Sequence, residues 1–253
     1  MIPYVGVTGI TNQREVIRIL NGMPRNSKRK LMVGVLASSK TISGIPNRWP
    51  NRYPTRENLG QIFLPHRRVL NLIHFNTDEP ELLYEQMMQA RNLAGNGLCH
   101  GFQINVAWPD PRTFGVFALL GQRTFLVLQI GARAFEMVGH SPEKLAEKVA
   151  SEYKGVLLDY ILLDPSGGQG KQLDAEVLRP YLRALKAKQL KWASLGVAGG
   201  LSASTLHLVA PLVEEFPDLS IDAEAGLRDS NDNLDVNAAI AYVNDAIALF
   251  EGK

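Results

Sequence analysis

A chain of 253 residues that is 45% hydrophobic and 21% charged has the balance of a folded globular protein, which excludes disordered and fibrous classes. Its formal net charge of +2 argues against nucleic acid or an anionic membrane as partner, and no apolar run approaches the roughly 20 residues of a membrane span. The single cysteine, Cys99, leaves no internal disulfide or cysteine zinc cluster; together with an N-terminus lacking a basic, then long apolar segment, it makes the cytoplasm the expected location.

The elements follow in regular alternation. Residues 4–8 read as a short strand, and Thr11 as the N-cap of a helix carrying Val16, Ile17 and Leu20, closed by Gly22 and Pro24. Residues 25–30 hold four cations in six positions, which on a nearly neutral chain reads as a solvated loop. A second strand over 31–37 leads into a long polar loop and a short helix over 57–63, and a third strand spans 69–75. Asp78 opens a helix with acids in its first turn and a stripe of Leu83, Met87, Ala90 and Ala94. The fourth strand, 101–106, precedes a weak helical pattern over 111–121 that Gly115 interrupts. A fifth strand spans 124–130, and Ser141-Pro142 caps the following helix.

The sixth unit is the most informative. Residues 159–164 form a short apolar run ending in Asp164; Gly167, Gly168 and Gly170 follow, and then a helix on Leu178, Leu182 and Leu185. A glycine loop ahead of a helix N-terminus brings N–H groups toward a bound anion. The seventh strand, 193–198, ends in Gly199-Gly200. Ser202 caps a helix on Leu206, Val209, Val213 and Phe216 that Pro211 should kink. The eighth strand spans 219–223, and a last helix presents Ile240, Val243, Ile247 and Phe250. Eight strand–helix units with no linker predict a single (β/α)8 TIM barrel over 1–253; a doubly wound sheet would not account for eight regular units.

In such a barrel chemistry gathers at the C-terminal ends of the strands. The candidates there are Thr8, Ser38, Ser39, Lys40, His74, Gln103, Asn105, Gln129, Asp164, Asp222 and Glu224. Asp164 stands out, because burial at the end of an apolar strand raises a carboxyl pKa toward general acid–base work. Alternation places Tyr160 and Leu162 on its face, and Asp222 on the face of Glu224. Any metal held by Asp222, Glu224 and a histidine would need a spacing that matches no ligand pattern, so no metal or cofactor is expected.

These segments resemble phosphoribosylanthranilate isomerase, the tryptophan-pathway barrel that converts an aminoaldose phosphate to an aminoketose. The resemblance rests on the first strand with residues 5–11, the fourth with 102–105, the acid and glycine loop of 162–174, the seventh with 198–201 and the eighth with 221–227. It implies Asp164 as the general acid, Asp222 as a second catalytic aspartate, and Gly168, Gly170, Gly199, Gly200 and Gly226 as the phosphate cradle. The departures are specific. The position of the family's cysteine base is Thr8, a hydroxyl too weakly acidic to replace a thiolate. A histidine position is Asn105, and Glu224 stands near the expected phosphate, where a cation such as Lys171 or Arg228 is needed to offset it.

The family's carboxylate-binding arginine after the second strand is matched only loosely by Lys40. Residues 44–57 instead carry Arg48, Arg52 and Arg56 interleaved with Trp49 and Tyr53, a composition suited to an anionic planar ligand and to a lid, or to an oligomer contact. The expectation is a diverged isomerase-like enzyme for a small, phosphorylated, sugar-like substrate. Its acid is Asp164, its base Asp222 or Glu224 with Thr8 beside them, and Lys40, Arg48 and Asn105 contact the substrate. A lyase, aldolase or epimerase on the same scaffold, or a phosphosugar-binding barrel without catalysis, are the alternatives.

Overall fold

Each short apolar run is buried on both faces and bounded by glycine or polar turns, which favours parallel strands joined by helical crossovers. A computed structural model of the chain describes residues 1–95, 97–115, 123–166, 171–190 and 193–252. The strands are β1 (Tyr4–Thr8), β2 (Lys30–Ser38), β3 (Val69–Asn76), β4 (Gly101–Ile104), β5 (Phe125–Gly131), β6 (Tyr160–Asp164), β7 (Ser194–Ala198) and β8 (Ser220–Ala223). They pair in sequence order, all parallel, and β1 closes onto β8, so the sheet is the expected closed (β/α)8 barrel.

The helices are α1 (Gln13–Gly22), α2 (Ser39–Ile42), α3 (Leu83–Leu93), α4 (Arg112–Gly115), α5 (Ala132–Met137), α6 (Pro142–Glu152), α7 (Ala175–Ala187), α8 (Ala210–Val213) and α9 (Val236–Glu251). Most of the large apolar side chains lie between these helices and the outer faces of the strands. A second apolar group fills the barrel axis: Tyr4, Met32, Leu70, Leu72, Val127, Tyr160, Leu162 and Ala198. Tyr160 and Leu162 therefore do share the inward face of Asp164. Tyr4 and Tyr160 meet edge to face with centroids 4.9 Å apart. No described helix is long and apolar enough to cross a membrane.

Several local expectations shift. Asn12, not Thr11, caps α1: its side chain accepts from Glu15 N, while the Glu15 carboxylate accepts from Thr11 N and Asn12 N. Ile17 is exposed, and Val16, Ile19 and Leu20 form the buried face of α1, because Ile19 fits the i, i+3, i+4 stripe. The helix expected over 57–63 is a 3-10 helix, Arg56–Gln61. Pro211 does more than kink its helix: a 3-10 segment, Ala203–Leu208, precedes a separate α8 with Pro211 in its first turn, where its missing N–H matters least. β4 ends at Ile104, leaving Asn105 just beyond it. Of the helix expected over 111–121, only α4 lies among the described residues.

Candidate active site

Above the apolar axis the inward side chains become polar. From β1, β3, β4, β5, β6 and β8 come Thr8, His74, Gln103, Gln129, Asp164 and Asp222, each less than a tenth exposed. Space for them is made by glycine. A Cβ on Gly6, which pairs in register with Asp222, would lie 2.6 Å from Asp222 Oδ1, and one on Gly34 would lie 2.3 Å from Thr8 Oγ1.

Two carboxylates anchor this layer. The Thr8 hydroxyl donates to Asp222 at 2.9 and 3.0 Å, and Gln103 Nε2 donates to Asp222 Oδ2 at 3.0 Å. Burial pushes the Asp222 carboxyl up to about 7; the hydrogen bonds from Gln103 and Thr8 pull it down, and the charges of Glu224 and Asp164 raise it. Asp164 accepts from Ser166 N at 3.1 Å and Ser166 Oγ at 2.5 Å through Oδ1, and from Gln129 Nε2 at 2.9 Å through Oδ2. Burial raises its pKa as well, and the Ser166 bonds oppose the shift. Gln103 Nε2 also donates to Gln129 Oε1 at 3.1 Å, which links the two acids. Burial holds His74 below the usual imidazole range, despite Glu224 and Asp164 nearby, so it is neutral.

Thr8 is thus fully buried with its proton given to Asp222, and it orients that carboxylate. The hydroxyl proton is engaged by Asp222.

Two cavities meet at Asp164 and Gln129. The larger, about 670 Å³, opens between the loops after β3, β4 and β5 and is lined by Asn76, Thr77, Asn105 and Arg133 among others. The smaller, about 40 Å³, lies over the axis against His74, Asp222, Gly199, Gly200 and Glu224, enough for a water or two. Gly199 (φ 136°) and Gly200 (φ 56°) take backbone conformations that favour glycine at this turn. Gly226 has a different reason: its Cβ would lie 2.2 Å from Leu201 O, so the β8 loop packs directly on the β7 loop. Gly168 and Gly170 lie outside the described residues.

The loop after β2 reaches past β1 to the β8 side of the mouth. Asn47 anchors its start, accepting from Ser38 Oγ and donating to Thr41 Oγ1, and Asn51 Nδ2 donates to Asn231 O on the β8 side. Next to Asn51, Arg52 forms a clasp, with Nη1 3.0 Å from Glu224 Oε1 and Nη2 2.7 Å from Asp232 Oδ1. The cation hydrogen-bonded to Glu224 is Arg52, and the Glu224 charge also acts on the half-buried Arg228. Lys171 is exposed, and Arg228 Nη2 donates instead to the carbonyls of Thr8 and Gly9. Arg48 and Lys40 are both exposed; Arg48 stacks on Trp49 at 4.9 Å.

The near-repeat Asn47-Arg-Trp-Pro and Asn51-Arg-Tyr-Pro makes Arg48 and Arg52 equivalent on paper, so nothing local identifies Arg52 rather than Arg48 as the residue that reaches Glu224. Ser166 was also missed, although Asp-x-Ser is a recognisable pattern for a side chain that caps its own loop. Among the described residues no group of three or more His, Cys, Asp or Glu side chains is arranged to hold a metal ion.

No protein-family model matches the chain. No curated protein matches it either. Solved structures do. Phosphoribosylanthranilate isomerase from Thermotoga maritima superposes with a TM-score of 0.62 at 19% identity, covering 99% of this chain and 100% of that one. The Thermus thermophilus enzyme gives 0.61 at 15% identity, covering 97% and 99%. The tryptophan synthase alpha chain of Legionella pneumophila gives 0.52 at 11%, covering 99% and 92%. The chain therefore shares, over nearly its whole length, the barrel fold of phosphoribosylanthranilate isomerase structures.

Proposed function

We propose that the protein is an isomerase-like enzyme that acts by general acid–base catalysis on a small, sugar-like phosphate at the barrel mouth. The observation that carries this reading is Asp164. It is 7% exposed, its pKa is raised by burial, and it lines the 670 Å³ cleft. Ser166 occupies Oδ1 twice and Gln129 occupies Oδ2 once, so one lone pair of Oδ2 is left to hold a transferable proton. A carboxylic acid there protonates a ring or carbonyl oxygen of the substrate. Asp222, lining the smaller cavity, takes the role of base, with Thr8 holding it in place. Arg52 pairs with Glu224 as well as Asp232 and so reduces the electrostatic objection to a phosphate beside Gly199 and Gly200.

The test is turnover and binding with ribose 5-phosphate and an N-aryl aminoaldose phosphate. Asp164→Asn is expected to lower turnover by about 10² or more while leaving binding nearly unchanged; an unchanged rate removes Asp164 from the mechanism. Complementation of a strain lacking the isomerase is expected to fail, because Thr8 supplies no base. A second reading, a binding barrel without catalysis, is favoured by that same buried Thr8 hydroxyl. It predicts binding of these phosphates with no turnover by the unmodified protein.

A further inference from the structure

The cleft of about 670 Å³ runs from Asp164 into the space between the loops after β3, β4 and β5. Its walls are tied together. Asn105 N donates to Phe75 O at 2.9 Å, Glu79 N donates to Thr77 Oγ1 at 3.0 Å, and Trp108 Nε1 donates to Ala134 O at 3.0 Å, so the β4 loop is fixed to β3 on one side and to α5 on the other. The adjoining axial cavity is only about 40 Å³, so the body of any sugar-sized ligand at Asp164 lies in the cleft.

Gly131, at the end of β5, lines this cleft beside Asp164, its register partner on β6. Its φ of −87° and ψ of 175° suit any residue. Among the described residues a Cβ there would meet only Asn105 Oδ1 at 3.6 Å and Asp164 O at 4.0 Å, which are ordinary contact distances. Glycine loses the most backbone freedom on folding, and here it leaves α5 without a side-chain cap. Neither backbone nor packing requires it. What the missing side chain does is keep the passage between Asn105 and Asp164 open.

The polar lining is graded by depth. Thr77 and Gln129 are buried and Asn105 is half-buried, all uncharged, whereas Asp78, Arg133 and Glu136 stand exposed at the rim. The Asn105 amide and the three charged side chains have no hydrogen-bond or ion-pair partner among the described residues. Amides and hydroxyls both donate and accept, so this interior matches the hydroxyl groups of a polyol. A charged arm would leave water for neutral walls, and the rim sets a guanidinium and two carboxylates against it, so either sign meets a like charge. The apolar lining is aliphatic, with Pro80, Val106 and Met137, and no described aromatic ring stands ready to stack on an aryl group.

We propose that the cleft between the loops after β3, β4 and β5 is a subsite for an uncharged, hydroxyl-rich arm of the substrate, which passes over Gly131 and hydrogen-bonds to Asn105. Asp164 and Gln129 line both cavities, so one ligand touches the acid and fills the subsite. The proposal rests on the functional reading above for the phosphate and the acid, and names the part of the substrate that does not carry phosphate.

The test uses three six-carbon chains that differ at one terminus: glucitol is neutral, gluconate anionic and glucamine cationic. Each is titrated into the 15N-labelled full chain, following the Gly131 N–H and the Asn105 side-chain amide by NMR. Glucitol is expected to shift both signals and to bind at least about threefold more tightly than either charged analogue. Gly131→Val, whose added carbons enter the passage, should weaken glucitol by about tenfold or more while signals far from the cleft stay in place. Absence of glucitol shifts at these two groups, equal or tighter binding of gluconate or glucamine, or an unchanged Kd in the variant would each overturn the proposal. The charge series in the unmodified protein decides even if Gly131→Val does not fold. Neither phosphate nor turnover enters the measurement, so failure of this subsite and failure of the catalytic reading are separate outcomes.

Discussion

Asp222→Asn is the substitution whose energetic effect follows most directly from the structure. Asp222 is 5% exposed and its carboxyl is pushed up to about 7, against an ordinary value of 3.8. The folded protein therefore binds this proton more tightly than the unfolded chain does. Between pH 4 and 7 the native state holds the extra proton, so stability falls as pH rises through that window and levels off above it. A shift of about three units at about 1.4 kcal/mol each gives a loss on the order of 4 kcal/mol by pH 8. Asparagine has the same shape and no charge to bury. Its carbonyl accepts from Gln103, and its amide donates to the Thr8 hydroxyl, which can accept in turn. Urea unfolding at intervals from pH 4 to 8, compared between the two proteins, measures the effect. The stability difference is expected to move in favour of the asparagine variant by up to about 4 kcal/mol across the range. A difference that is the same at pH 4.5 and pH 8 would refute the argument, because it would mean that burial does not disfavour the Asp222 charge.

Other consequences follow from packing and from the clasp. Gly6→Ala places a methyl 2.6 Å from Asp222 Oδ1 and 2.7 Å from Met32 Cε, and should lower stability by about 1–3 kcal/mol in denaturant unfolding; a neutral result would mean that Met32 and Asp222 can yield. Arg52→Ala leaves Glu224 and Asp232 without their shared cation, and tryptic cleavage after the exposed Arg48 should accelerate several-fold. Equal cleavage rates would show that Asn47 and Asn51 alone hold the loop.

Much of the architecture was legible because its signals are local. The run that ends at Asp164 and the helix built on Leu178, Leu182 and Leu185 identify themselves by periodicity and punctuation alone. The same signals misplace fine boundaries. Thr11 and Asn12 are both good caps, and only the Glu15 side chain reaching back to both of their N–H groups selects Asn12. Strand-end position identified Asp164 and Asp222 as candidate acids, and parity correctly aimed Tyr160 and Leu162 inward. Neither signal says which polar residue meets which. The glycines illustrate the limit: the sequence offers Gly226 as part of an anion cradle, and only the structure shows that its missing side chain lets Leu201 O approach.

What the sequence alone determined is the barrel and the level at which its chemistry sits, because face and turn are set within about ten residues of chain. Closure of the sheet decided the rest. It brings Thr8 to Asp222 across 214 residues, Gln103 to the same carboxylate across 119, and Arg52 to Asp232 across 180. Those pairs share no local pattern. They meet because a parallel barrel turns six separate strand ends into one buried polar layer, where each donor must find an acceptor or lose the energy of its desolvation.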